Sequence, residues 1–268
     1  MFIAGNCIKS AINESKKQIL KNRIPVINYA IESRNNSNIV FNEYKNLSNE
    51  LDQSFKIALK LTSFDMNLKL INEIIDMFVS KKVKVLIDAE SNIFNDDYNK
   101  ITRSLIYKYN KQNVNIYKTY QMYRKDSLTN LNNDIDFCNF NNLHIGTKLV
   151  RGAYWNTEKN LGHLFTNKID TDESYNNGVI CLYENSVNSD NIIATHNLES
   201  INLGMMLNNK RNIFSFAHLL DMRSKKYNDV LKKGHDVHVY IPYGPYNEMI
   251  PYLVRRLYEN LDTVKYMF

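Results

Sequence analysis

The chain has 268 residues, 44% hydrophobic and 23% charged, with a formal net charge of +6. That length can bury one large core, and the composition is that of an ordinary globular protein. Its basic residues are scattered, which argues against a nucleic-acid-binding tail and for anionic small molecules and surfaces. No run approaches the roughly 18 apolar residues of a membrane span, so no transmembrane helix is expected. Cys7, Cys138 and Cys181 form no CxxC pair and leave an odd count, as expected of thiols in a reducing compartment. MFIAGNCIKSA has neither signal-peptide nor transit character, so the chain is expected to work where it is made or to be trimmed.

Residues 8–21 carry a helical period and 24–33 (IPVINYAIES) a β-branched, strand-like run. Residues 38–54 read as helix or loop, and 55–63 as a second strand. The amphipathic stretch MNLKLINEIIDMFVSKK precedes the strand VKVLIDAE (83–90). A helix over 97–109 leads to a strand at 114–121, and a helix over 122–137 to LHIGTKLVRGAYW (143–155). Further strands fall at 191–197, 213–219 and 236–244, with helices near 173–187, 199–209 and 224–232 between them. The last stretch, YIPYGPYNEMIPYLVRRLYEN (240–260), ends in a helical pattern.

Eight strand candidates, each followed by a helical one, predict a (β/α)8 barrel in a single domain over 1–268. A doubly wound open sheet is the alternative, disfavoured because no Gly-rich fingerprint follows the first strand. Strand parity sharpens the barrel. If the aliphatic set (Ile57, Leu59; Val85, Ile87; Val239, Ile241) faces the outer helices, Lys60, Asp88 and Tyr240 point inward near the strand C-termini. Lys60 and Asp88 then pair, either as a structural salt bridge or as part of a site. Gly152 permits close approach of a flat ligand, and His196 stands at the end of the sixth strand. On the last helix Arg255 and Arg256 form either a carboxylate clamp or a solvated outer face. No metal-ligand spacing occurs, so no metal is expected.

In order along the chain, FIAG (2–5), IALKLTS (57–63), LIDAE (86–90), TYQMYRKD (119–126), KLVRGAYW (148–155), DESYN (172–176), ATHN (194–197), LLDM (219–222) and YLVRRLYEN (252–260) resemble the proline dehydrogenase family. The resemblance implies a distorted TIM-type barrel with its last helix over the mouth. It implies FAD-dependent oxidation of L-proline to Δ1-pyrroline-5-carboxylate, with electrons passing to a quinone-type acceptor. In that pattern Arg255 and Arg256 clamp the substrate carboxylate, and Lys60 and Asp88 form the ion pair beside it. Tyr240, Tyr252 and Leu219 wall the ring, and Glu32 gates the site. Lys148, Val150, Gly152, Ala153, Tyr154, Trp155, Thr195, His196, Asn197 and Glu259 surround the FAD. Lys118 stands there in place of a neutral amide. Its ammonium either raises the flavin potential from the pyrimidine end or snorkels to water.

Asn28, His218 and Asp221 are further departures, where the family usually has Asp, Gln and Gly. The substitutions at Lys118, His218 and Asp221 keep open a non-catalytic barrel that has lost FAD. A Schiff-base aldolase using Lys60 is a more distant reading. The resemblance further implies the monofunctional form, without an aldehyde dehydrogenase domain, in a cytoplasmic or mitochondrial setting that admits peripheral membrane contact.

Overall fold

The computed structural model describes residues 2–31, 37–246 and 248–249. Eight parallel strands run in chain order and close on themselves, with helices alternating between them. The fold is the expected (β/α)8 barrel. The first elements are α1 (Ile8–Ile19), β1 (Ile24–Tyr29), α2 (Ser37–Glu50), β2 (Lys56–Leu59), α3 (Leu68–Ser80) and β3 (Lys84–Ile87). Then come α4 (Asn95–Tyr109), β4 (Ile116–Gln121), α5 (Ser127–Phe140), β5 (Ile145–Val150), the single turn α6 (Trp155–Glu158) and α7 (Lys168–Asn185). β6 (Ser189–Ala194), α8 (Leu198–Asn208), β7 (Phe214–Leu219), α9 (Ser224–Lys232) and β8 (Val237–Tyr243) complete the described elements. The chain divides into two compact units, Met1–Asp88 with Ala217–Phe268, and Ala89–Phe216.

In the first unit β8, β1, β2 and β3 are neighbours in register, with Val26 opposite both Lys56 and Tyr240, and Lys56 opposite Lys84. The aliphatic residues Ile57, Leu59, Val85, Ile87, Val239 and Ile241 are all fully buried. α3 shows why these segments become helices. The Asn67 side chain caps it by accepting from the Lys69 and Leu70 amides, worth about 1 kcal/mol. Ile71, Ile74, Ile75 and Phe78 then recur at i, i+3, i+4 and i+7 and are buried together. The buried Tyr44 of α2 donates its hydroxyl to the Ala58 carbonyl at 2.7 Å, tying helix to strand.

In the second unit β5 pairs with both β4 and β6, placing Thr119 opposite Lys148 and Lys148 opposite Ile192. α8 is capped by Asn197, whose side chain accepts from Glu199 and Ser200. Gly178 and Gly204 let α7 and α8 pack closely. An added Cβ would come within 2.8 Å of Met122 and 2.2 Å of Ile193 respectively.

The expected strands were too long. The run 55–63 is a four-residue strand followed by a 3-10 turn at Leu61–Phe64, and 83–90 shrinks to Lys84–Ile87. Lys60 and Leu61 past β2 and Asp88 past β3 are still buried, and an apolar pattern does not distinguish a paired strand from a buried loop. The segment read as helix or loop at 38–54 is mostly α2. The helix expected after the turn at Tyr243-Gly244-Pro245 lies largely outside the described residues.

Candidate functional site

Lys60 and Asp88 each stand one residue beyond a strand, β2 and β3, whose last residues Leu59 and Ile87 are in register. The ladder extends one step further, with the Asp88 amide donating to the Leu59 carbonyl at 2.8 Å. The two charged side chains are thereby neighbours, 7% and 9% exposed. Tyr240 of β8 donates its hydroxyl to Asp88 Oδ2 at 2.6 Å. A charge-assisted bond of that length fixes the phenol and gives the buried carboxylate a partner. Leu219 ends β7, and the next amide, of Leu220, donates to the Tyr240 carbonyl at 3.1 Å. The structure therefore brings Lys60 and Asp88, one residue past β2 and β3, together with Leu219 at the end of β7 and Tyr240 at the middle of β8. Barrel enzymes carry their chemistry toward the strand C-terminal ends. Glu32, Tyr252, Arg255, Arg256 and Glu259 lie outside the described residues.

The second unit holds another cluster. Lys148, on β5, is 7% exposed and shares its strand face with Thr119 of β4. The Thr119 hydroxyl oxygen is buried and makes no hydrogen bond among the described residues. Beyond β5, Gly152 has φ +149°, and a Cβ there would come within 2.4 Å of the Tyr123 ring. The glycine is thus required by Tyr123, a reason the motif did not disclose. The Ala153 amide donates to Gln121 Oε1 at 3.0 Å, and the Tyr154 amide to the Tyr123 hydroxyl at 3.3 Å. Trp155 is 37% exposed, and Gly152, Ala153 and Tyr154 are half-buried. After β6, Thr195 Oγ1 accepts from the Asn197 amide at 3.1 Å and from the Arg151 guanidinium. His196 and Asn197 are half-buried at the same strand end. Half-open backbone, an ammonium, a spare hydroxyl and an exposed indole thus converge on the ends of β4, β5 and β6.

Lys118 is where reading and structure part. Its ammonium neither snorkels to water nor extends as a lone charge toward a ligand. It is 2% exposed and bound to Asp134 of α5 at 2.6 Å. Tyr120 donates to the same oxygen at 2.8 Å, and Arg103 of α4 holds the other at 2.6 and 2.9 Å. Burial pushes the Asp134 carboxyl up, but the Lys118, Arg103 and Tyr120 donors outweigh it and hold the group below its ordinary range. Lys118 and Tyr120 belong to the helix-facing side of β4, and Thr119 and Gln121 to the other. Parity along TYQ would have exposed this, since alternate residues of a strand take opposite faces. The residues missed at this site are therefore Thr119 and Gln121, the latter in register with Val150.

The other departures are similarly placed. His218 stacks on Tyr227 of α9 at 4.4 Å between ring centroids, with Nδ1 2.8 Å from the Leu219 carbonyl. Burial pushes its imidazole down to about 4, so it is neutral. Asp221 has φ +59°, the left-handed conformation that glycine adopts without strain. Asn28 is fully buried and donates to the Ala58 carbonyl at 3.2 Å.

Comparison with known proteins gives a consistent result. The family described as proline dehydrogenase matches residues 8–267. "Proline dehydrogenase 1, mitochondrial" of Caenorhabditis elegans is 29% identical over 239 residues, 82% of this chain and 37% of that protein. "Hydroxyproline dehydrogenase" of Xenopus laevis is 30% identical over 205 residues, 69% of this chain and 44% of that protein. The chain therefore spans well under half the length of these curated relatives. Proline utilization A from Bdellovibrio bacteriovorus, in a crystal structure of the protein inactivated by N-propargylglycine, shares the fold. Its TM-score is 0.88 at 20% identity, over 96% of this chain and 32% of that one. With the family match running through both clusters and nearly end to end, the chain belongs to the proline dehydrogenase family.

Proposed function

We propose that this chain oxidises L-proline to Δ1-pyrroline-5-carboxylate, with FAD as its resident flavin and a quinone-type acceptor for the electrons. The observation that carries the reading is the Tyr240–Asp88 hydrogen bond with Lys60 at the adjacent register position. A zwitterionic, saturated ring needs charged partners of both signs and an apolar wall, and these residues with Leu219 are such a set. In this reading Asp88 and Lys60 orient the amine and carboxylate ends. The Tyr240 phenol, held by Asp88, packs on the ring. Arg255 and Arg256 supply the bidentate carboxylate clamp, Tyr252 a further wall and Glu32 the gate.

The residues of the second unit fit a flavin. The buried Thr119 hydroxyl has no hydrogen-bond partner among the described residues, and it lies in register with the buried ammonium of Lys148. Together they offer donors to a ring edge rich in acceptors. Val150, Gly152, Ala153, Tyr154, Trp155, Thr195, His196, Asn197 and Glu259 would hold the rest of FAD. When bound, FAD supplies the two-electron acceptor for the ring C–H bond, and the chain supplies orientation and electrostatics. Lys118 is not part of that set, because its ammonium is committed to Asp134.

The test is the absorption spectrum of protein purified with FAD, before and after anaerobic addition of L-proline. The expected result is a flavin spectrum that bleaches. A bound flavin that proline leaves oxidised would overturn the substrate assignment. Colourless protein that takes up no added FAD would select the non-catalytic barrel. Among the described residues no helix is long and apolar enough to cross a membrane. The nematode relative's name makes the mitochondrion the compartment to test by fractionation.

A further inference from the structure

Arg151, one residue beyond β5, is not among the residues assigned to the cofactor, yet its guanidinium reaches side chains on α7, on α8 and just past β6. Nε donates to Asp172 Oδ1 of α7 at 2.7 Å, and Nη2 reaches the same oxygen at 2.6 Å. Nη2 also donates to Ser200 Oγ of α8 at 3.2 Å, and Nη1 donates to Thr195 Oγ1. The guanidinium lies over the Tyr175 ring, 4.5 Å from its centroid, while the Tyr175 hydroxyl donates to the Leu149 carbonyl at 3.0 Å. Ser200 in turn donates to Asn176 at 2.7 Å. Burial would push the Asp172 carboxyl up, but Lys168 and Arg151 hold it below its ordinary range, so the strut is charge-assisted.

We propose that Arg151 is a positioning residue that fixes 152–155 and 195–197 relative to each other. Its hydrogen bond to Thr195 acts on the oxygen that also accepts the Asn197 amide, and Asn197 is the cap of α8. One planar cation therefore sets two backbone segments at once. A lysine would present a single point charge, without the fork or the stacking face. The inference rests on reading these segments as flavin-binding, although the strut itself stands on geometry alone.

The test uses the full chain with Arg151→Lys, Arg151→Gln and the milder Ser200→Ala. Hydrogen exchange of the flavin-free protein is read at 152–155 and 195–200, with β2 and β3 as internal reference, and FAD affinity is read by titration. Both Arg151 variants should speed exchange in the two segments together and leave the reference unchanged. FAD affinity should fall about 10- to 100-fold, the worth of a hydrogen bond to a charged group. Ser200→Ala should give a smaller shift in the same two segments. Wild-type exchange in Arg151→Lys, or loosening of one segment without the other, would overturn the strut. A wild type that takes up no FAD would remove the flavin reading, while the exchange measurement still decides the strut. If Arg151→Gln fails to fold, Arg151→Lys and Ser200→Ala carry the test.

Discussion

Lys60, Asp88 and Tyr240 in one unit have the same residue types as Lys118, Asp134 and Tyr120 in the other. In both, a tyrosine hydroxyl donates to an aspartate beside a buried lysine, at 2.6 Å and 2.8 Å. They differ in where the chain places them. In the first set Lys60 and Asp88 stand just past β2 and β3 and Tyr240 at the middle of β8, on the side of the sheet away from the aliphatic residues. The second joins the helix face of β4 to α5, with Arg103 of α4 completing the acceptors of Asp134. Its carboxylate is already held by Lys118, Tyr120 and Arg103. Which face of a strand a lysine occupies, and how near the C-terminal end, therefore separates a candidate site from a structural ion cluster.

Deleting the carboxylate of the second cluster should break the comparison most sharply. Asp134→Ala leaves a buried ammonium without its carboxylate, and such losses cost about 3–5 kcal/mol. Urea denaturation should show that fall, and Lys118→Met with Asp134→Leu should recover much of it. Lys118→Gln should destabilise the protein while leaving the flavin potential at its wild-type value. A lowered potential would mean that the ammonium acts on the flavin after all.

His218 tests the same rule in the first unit, since it too lies on the helix face of its strand. Its folded pKa of about 4 is below the ordinary 6.5, so the unfolded chain takes up the proton first. Stability is complete above pH 6.5 and is lost as pH falls from 6.5 toward 4, by about 3 kcal/mol if the whole shift is realised. His218→Gln should flatten this part of the stability profile. An unchanged slope between pH 6.5 and 4 would assign the loss to other groups. Asp134, with its depressed pKa, acts only at more acidic pH. Its contribution is present above the ordinary carboxylate range and is lost as pH falls through its folded value.

For the first cluster the matching experiment reads catalysis instead of stability. Tyr240→Phe removes one hydrogen bond to Asp88 and should lower kcat/KM for proline by about 1.5–3 kcal/mol. Its denaturation midpoint should move far less than that of Asp134→Ala. If the stability loss were the larger effect, the two clusters would be alike and both structural. The smallest expected effect is at the turn after β7, where Asp221→Gly should stabilise by up to about 1 kcal/mol by removing a left-handed aspartate. No gain in melting temperature would mean that the side chain's interactions offset the strain.

The sequence by itself determined the alternation of strands and helices, because the two hydrophobic periods are local and independent of partners. It also determined the inward parity of Lys60, Asp88 and Tyr240, since Ile57, Leu59, Val85 and Ile87 leave the opposite face to them. On β4 the same logic was legible but masked, because IYKTYQ is amphipathic on both faces and both faces are buried. Only the tertiary structure could give Lys118 a partner sixteen residues away on α5, assign Gly152 to the Tyr123 ring, and make Arg151 the tie between β5, β6, α7 and α8. These outcomes depend on side chains that meet through packing, and a hydrogen-bond partner distant in sequence leaves no periodic trace in either segment.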